Sequence, residues 1–170
     1  MADQQRTSAT SKVGVLLVNL GTPDDPSPKA VRRFLAEFLS DPRVIDYPRL
    51  LWLPILYGVI LRVRPPKTAH AYAQIWTKDG SPLLLESQAL AESLRAALGS
   101  EIVTVLGMTY GSPSVTAAIQ KLCEQQATRL IVIPLYPQYS DTTTASVRDR
   151  VQAALKKQAA PPGLCRTRDG

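Results

Sequence analysis

Two patterns of apolar residues alternate along the chain. Residues 13–19 form a nearly unbroken apolar run, typical of a strand covered on both faces in a parallel sheet. Similar runs occur at 102–106 and 130–135. Between them, apolar residues recur every three to four positions, which predicts amphipathic helices. The order of strands and helices favours an α/β fold, a three-layer sandwich around a mainly parallel sheet. The predicted helices cover residues 28–40, 67–76, 84–98, about 112–122 and 146–157.

Capping and breaking residues set the limits of these helices. Ser27 followed by Pro28 is an N-cap with a proline in the first turn, so a helix is expected to begin there. Pro42 blocks continuation beyond about Ser40. Gly99 gives the helix over 84–98 a C-terminal stop.

One segment, residues 50–61, is apolar all round and interrupted by Pro54 and Gly58. It begins at Leu50 and ends at Leu61, which is too short to span a bilayer. The pattern leaves two interpretations open. The segment is either a buried core helix, or it has a functional role as a lip over an apolar ligand or as a surface patch that contacts lipid.

Length and charge narrow the classes of protein. With 170 residues, 45% of them hydrophobic, the chain is long enough for one domain with a substantial core. The net charge of +6 is modest, and basic stripes interleaved with aromatic residues are missing, so nucleic-acid binding is not expected. The polar residues 1–12 are predicted to be a disordered lead-in without targeting features, before a domain over 13–158 and the start of a linker at 159–170. The expected location is cytoplasmic. Cys123 and Cys165 share no metal or redox spacing and are read as reduced thiols.

Candidate chemistry is sought in the loops after the strands, because ligands of open α/β sheets bind at the carboxyl ends of the strands. The loop 19–23 lacks both the three-glycine dinucleotide fingerprint and a phosphate loop, so a nucleotide-binding domain is a weak alternative. The loop 107–111 offers Met108 and Tyr110 for an apolar wall. The loop 134–144 brings two tyrosines and a row of hydroxyls to the same edge.

Recognisable metal-binding and nucleophile motifs are almost absent from the chain. His70 has no second histidine or cysteine at ligand spacing, and it is read as a surface or packing residue. No nucleophile elbow or zinc motif can be proposed, so no metal site is expected in this chain.

Four strings in register carry a resemblance to a known family. They are Leu-Val-Asn-Leu-Gly-Thr-Pro-Asp at 17–24, Phe-Leu-Ser-Asp-Pro-Arg-Val-Ile-Asp at 38–46, Gly-Ser-Pro-Leu at 80–83 and Pro-Leu-Tyr-Pro-Gln-Tyr-Ser at 134–140. From about residue 12 to its end the chain resembles the amino-terminal half of ferrochelatases.

The resemblance implies the first of two similar chelatase-like domains with a porphyrin cleft between them. It implies insertion of ferrous iron into protoporphyrin IX to form protoheme, with iron and porphyrin as substrates and no cofactor required. Five positions match family residues that contact porphyrin. Leu20 matches a residue that lies against the macrocycle, and Arg64 matches an arginine that pairs with a propionate. Tyr72 and Ser81 match residues that bond propionate or line the pocket, and Tyr136 matches a tyrosine that faces the ring.

The same resemblance places the catalytic histidine and glutamate in the second domain, beyond Gly170, so the chain looks like a truncated and inactive form. A rival interpretation is a non-catalytic tetrapyrrole-binding module. Leu20 stands where coproporphyrin-type relatives carry tyrosine, which favours the protoporphyrin reaction. Asp141 stands where the first cysteine of an iron–sulfur cluster can stand, so no cluster is expected. The apolar segment 50–61 adds an expected peripheral contact with the membrane.

Overall fold

A computed structural model describes residues 12–159 and 161–164 of the chain. Its sheet has four parallel strands in the order β2-β1-β3-β4, with β1 paired to both β2 and β3. The α/β class and the parallel sheet are therefore confirmed. Cys165 and most of the predicted lead-in lie outside the described residues. The strands are β1 Val13–Thr22, β2 Ile102–Gly111, β3 Arg129–Pro134 and the short β4 Gly163–Leu164.

The described residues also form six α-helices, which lie on both faces of the sheet and at its carboxyl end. A π-helical stretch, Leu56–Ile60, joins α2 to α3, and a second, Asp141–Ala145, leads into α6. The helices are α1 Pro28–Leu39, α2 Arg49–Ile55, α3 Leu61–Ile75, α4 Pro82–Leu98, α5 Val115–Glu124 and α6 Ser146–Leu155.

Alternate residues of β1 supply the two main cores. Leu16 and Val18 pack with α5 and α6 on one face of the sheet, while Val15 and Leu17 pack with α4 on the other. Covering both faces explains why the strand is an unbroken apolar run. The sheet between these helical layers is the predicted three-layer sandwich.

The helix boundaries follow the capping residues. The side chain of Ser27 accepts a hydrogen bond from the Ala30 backbone N–H at 3.2 Å, which caps α1 as predicted. Gly99 ends α4 with a φ of 75°. α4 begins at Pro82 and includes the whole of the stretch predicted to be helical over 84–98.

Two predicted loops are wrong, because β1 continues through Thr22 and β2 through Gly111. Gly21 pairs with Tyr110, and a φ of +108° brings its backbone so close that an added Cβ would lie 1.8 Å from the Tyr110 carbonyl oxygen. The glycine allows two backbones to approach, and it does not end the strand.

The interpretation of segment 50–61 as a buried core helix is also wrong. Leu56 and Leu61 are buried and anchor the segment, but most of its other apolar side chains face outward. Leu50 is 90% exposed and Leu51 is 65% exposed. The segment therefore presents apolar surface at the carboxyl end of the sheet, where it packs on α1.

Tyr110 is the buried centre of this third cluster. Its side chain is fully buried, and its ring meets Phe38 edge-on at 5.1 Å between centroids. Its hydroxyl donates to Asp41 at 2.9 Å, and the Arg150 guanidinium lies 4.4 Å from the ring centroid. Burial, with a smaller contribution from Asp41, raises the pKa of the Tyr110 phenol well above its usual value.

The end of the described chain adds to the sheet. Gly163 pairs with Arg129, which makes β4 a fourth strand inside the stretch 159–170 that was predicted to begin a linker. The remainder of that stretch, beyond residue 164, lies outside the described residues.

The close approach of β1 and β2 predicts a large cost for Gly21→Ala. The new methyl group overlaps the Tyr110 carbonyl and the backbone keeps a positive φ, so the free energy of unfolding should fall by at least about 2 kcal/mol. The matched control is Gly58→Ala, whose methyl group enters open space in helical backbone. Denaturant titration should find this control within about 1 kcal/mol of the parent, and equal losses would contradict the account.

Burial of Tyr110 predicts a stability that depends on alkaline pH. The unfolded phenol loses its proton near pH 10, whereas the folded phenol keeps it to higher pH, so stability is complete below about pH 10 and falls above it. Unfolding measured by denaturant from about pH 8 upward should show this fall. In Tyr110→Phe the fall should be shallower, although the variant is less stable throughout because Asp41 loses its donor. Tyr139→Phe is the control, because it removes an exposed hydroxyl. If the free energy of unfolding of Tyr110→Phe fell with pH as steeply as that of the parent, the assignment would be contradicted.

Candidate functional site

The carboxyl ends of β1 and β2 carry a polar chain that ties the sheet to α4. Asn19 of β1 donates through its amide nitrogen to the Ser87 hydroxyl of α4 at 2.9 Å. Ser87, which is buried, donates in turn to the backbone carbonyl of Leu83 at 2.7 Å. The Asn19 amide oxygen accepts from the Leu20 N–H at 2.8 Å, so this side chain fixes the backbone where the candidate site begins.

Thr109 extends this chain to the loop after β3. Its hydroxyl donates to the Asn19 backbone carbonyl at 3.0 Å and lies 3.3 Å from the Tyr136 hydroxyl. Thr109 has one hydroxyl proton, which it donates to the Asn19 carbonyl. The Tyr136 phenol is therefore the donor in its hydrogen bond with Thr109. Burial raises the pKa of Tyr136, with a smaller opposing effect of the Thr109 hydrogen bond. The phenol is thus a neutral donor at physiological pH.

Leu20 and Tyr72 lie against the same apolar cluster, formed mainly by α1 and α3. Leu20 is half-buried at the end of β1. Tyr72, also half-buried, meets Phe34 edge-on at 6.4 Å and Trp76 at 6.2 Å between ring centroids. Burial raises the pKa of Tyr72. Together these residues form an apolar and aromatic wall beside the polar chain.

Arg64 stands on α3 about two helical turns before Tyr72. Its side chain is exposed, and within residues 12–159 and 161–164 no ion pair or hydrogen bond holds its guanidinium. Ser81 is buried immediately before α4, and its side chain does not cap the helix. His70 is exposed on α3, and its ring nitrogen lies 3.4 Å from the Gln74 amide nitrogen.

The structure thus brings some of the predicted residues together and leaves others apart. Leu20 and Tyr72 share one cluster, and Tyr136 connects to the backbone beside Leu20 through Thr109. Within the described ranges, no hydrogen bond, ion pair or ring contact joins Arg64 or Ser81 to the other predicted residues. Three polar residues that sequence reasoning missed, Asn19, Ser87 and Thr109, connect the elements.

Neither a metal centre nor a membrane span is found in the part of the chain that the structure describes. There, no group of three or more histidine, cysteine, aspartate and glutamate residues is placed to hold a metal ion. Among the same residues, none of the helices has the length and apolar character needed to cross a membrane.

The nucleotide alternative loses its main feature. Gly21 faces the Tyr110 backbone, and the first helix begins only at Pro28, so β1 does not lead through a glycine-rich turn into a helix N-terminus. A phosphate cradle of the usual kind is therefore absent at this end of β1.

Comparison with known proteins identifies the family of the chain. The sequence model of the Ferrochelatase family matches residues 12–166. A ferrochelatase of Photobacterium profundum is 52% identical over 151 residues, which are 89% of this chain and 46% of that protein. One from Pectobacterium atrosepticum is 52% identical over 158 residues, 93% of this chain and 49% of that protein. Ferrochelatase 1 of Shewanella oneidensis is 51% identical over 162 residues, 93% of this chain and 48% of that protein.

These relatives are longer than the present chain. The chain spans about half the length of the curated relatives it matches. The family match nevertheless extends over nearly the whole of the chain and includes both the strands and the loops that carry the candidate residues. The chain belongs to the ferrochelatase family.

Proposed function

We propose that this chain supplies a porphyrin-binding half of a ferrochelatase, an enzyme that inserts ferrous iron into protoporphyrin IX. The observation that supports the proposal is that Leu20 and Tyr72 pack against one apolar cluster at the carboxyl end of the sheet. Tyr136 packs against the core of α5 and α6, and its hydroxyl reaches the backbone beside Leu20 through Thr109. An apolar wall beside neutral hydroxyl donors suits a flat, largely apolar macrocycle with polar edges.

Each residue has a role that its surroundings support. Leu20 offers an apolar contact, and Tyr136 offers a ring whose hydroxyl Thr109 holds in place. Arg64 has no ion pair among the residues that the structure describes, and its guanidinium suits a propionate, because the planar fork matches a carboxylate with two parallel hydrogen bonds. Tyr72 and Ser81 complete the proposed lining.

The proposed reaction needs a proton acceptor, and the two phenols of the candidate site do not supply one. Metal insertion removes two pyrrole protons and replaces them with one ferrous ion, so the iron keeps its oxidation state and no redox partner is needed. The raised pKa values of Tyr72 and Tyr136 keep both phenols protonated at neutral pH, which makes them donors. We propose that the acceptor and the metal-handling group are a histidine and a glutamate of the second domain, as the family resemblance implies.

A non-catalytic tetrapyrrole-binding module is the alternative, since the same pocket residues would suffice for it. The enzyme and the binding module differ in whether a chain that includes the second half inserts a metal ion. Zinc is the convenient probe, because zinc insertion changes porphyrin fluorescence without a redox step. Zinc insertion that appears only when this chain is joined to a relative's second half supports the enzyme. Porphyrin binding that never leads to insertion supports the binding module.

Porphyrin titration of this chain tests the binding site. Protoporphyrin should bind saturably, followed by Soret absorbance, and Arg64→Ala should weaken it by about threefold to tenfold because an exposed charged contact is lost. Tyr136→Phe keeps the ring and should cost less than Arg64→Ala. Arg32→Ala, an exposed arginine of α1 without an ion pair among the described residues, is the matched control. Equal losses of porphyrin affinity in Arg64→Ala and Arg32→Ala would show a nonspecific effect of charge and contradict the proposed role of Arg64.

Peripheral contact with a membrane surface is a second part of the proposal. Leu50, Leu51 and Val63 are 90%, 65% and 72% exposed on the helices that lead to Arg64. Arg49 and Arg62 flank them and are exposed as well. Apolar side chains beside cations suit the interface of a bilayer with anionic headgroups.

Vesicle sedimentation tests this contact. With vesicles of phosphatidylcholine and about one third phosphatidylglycerol, Leu50→Ser with Leu51→Ser should weaken partitioning at least about tenfold, because two apolar insertions are lost. The matched control is Leu83→Ser with Leu90→Ser on α4, which are 38% and 48% exposed. Equal weakening by both pairs would exclude a specific lipid contact through segment 50–61.

A further inference from the structure

A second groove lies along the outer edge of β2, away from the candidate porphyrin site. β2 is the outermost strand of the sheet, and among the described residues no strand pairs with its free side. The groove has a volume of about 650 Å³, and β2 residues 102–106 form its floor. One wall is α4, and the other consists of Pro113 and the carboxyl-terminal end of α5. The candidate site, in contrast, involves Thr109 at the carboxyl end of the same strand.

The backbone of β2 presents hydrogen-bonding groups to this groove. The Thr104 carbonyl accepts from the Arg95 guanidinium at 3.2 Å, and the Met108 N–H donates to the Pro113 carbonyl at 2.6 Å, so both groups face the free side. In a parallel strand, alternate residues direct both backbone groups to the same side. The N–H of Thr104 and both backbone groups of Leu106 therefore face the groove as well.

A buried hydroxyl in the groove also lacks a partner. Thr104 is only 3% exposed, and its Oγ1 has no hydrogen-bond partner among the described residues. Leaving such a group unsatisfied costs about 1–3 kcal/mol. Thr104 lines the groove, so an occupant with a polar group at this point would satisfy the hydroxyl.

The charges around the groove indicate the sign of its occupant. Lys12, Arg95 and Lys121 line it against one carboxylate, Glu92. None of the three cations forms an ion pair within the described part of the chain. The groove thus combines a strand edge, of which Arg95 already bonds the Thr104 carbonyl, with three cations against one carboxylate.

We propose that this groove binds an extended acidic peptide segment of a partner protein, which adds to the sheet as a further strand beside β2. A peptide strand satisfies a row of backbone groups spaced along the edge, whereas a compact anion reaches only a few of them. Five floor residues correspond to about 17 Å of strand, the length of a short linear segment. Glutamate or aspartate side chains meet Arg95 on one wall and Lys121 on the other.

Fluorescence anisotropy tests the proposal with a dansyl-labelled heptapeptide in which glutamate alternates with valine. The peptide should bind the chain saturably. Arg95→Glu with Lys121→Glu should weaken binding by about tenfold or more, because two attractions become repulsions. Lys156→Glu with Lys157→Glu makes the same change in net charge at exposed positions after α6 and should leave binding unchanged. Equal weakening by both pairs would overturn the proposal.

Two further measurements separate strand addition from simple charge attraction without depending on one variant. Two peptides with N-methyl groups on alternate residues, one on each edge of the strand, should differ, because only the edge that faces β2 needs its N–H groups. Thr104→Val should weaken binding while leaving the fold stable, because it removes only the unpartnered hydroxyl. Equal binding of the two methylated peptides would overturn the proposal. So would displacement of the labelled peptide by inorganic phosphate at the same concentration as by unlabelled peptide, or dimerisation of the chain through this edge.

Discussion

The pairing of β1 with both of its neighbours is the constraint on which the rest of the structure depends. β1 is opposite β2 from Val13 to Thr22, and the pairing lasts to its end only because Gly21 lets the Tyr110 backbone come close. Alternate β1 side chains then supply the cores on both faces. The same continuation places Tyr110 in the cluster that holds α1 and α3, so one close contact links the sheet to the helices at its carboxyl end.

This constraint also locates the chemistry. Because β1 and β2 remain paired past Asn19, the Thr109 hydroxyl can reach the Asn19 carbonyl and present its oxygen to Tyr136. Asn19 holds α4 through Ser87. The candidate site is therefore supported by helices and strands, which position binding groups more precisely than loops do. The edge of β2 that faces away from β1 presents other backbone groups, near residues 102–106.

Much of the fold could be predicted from the sequence, because strands covered on both faces and amphipathic helices have different periods. The ends of the strands could not, since Gly21 has the sequence signature of a turn and its role depends on Tyr110, far along the chain. The exposure of Leu50 could not be predicted either, because an apolar run does not reveal whether other residues cover it. Motif resemblance gave the predicted site residues, but the hydrogen bond of Asn19 to Ser87 joins residues distant in sequence and has no local signal.

The most direct test of the central claim is nuclear magnetic resonance mapping of the labelled chain during titration with protoporphyrin. The account predicts that shifts concentrate at Leu20, Tyr72 and Tyr136, with Arg64 at the edge of the affected region, while residues 102–105 of β2 do not change. Shifts confined to the exposed segment 50–61, or spread along the β2 edge, would contradict the assignment of the porphyrin site to the carboxyl end of the sheet.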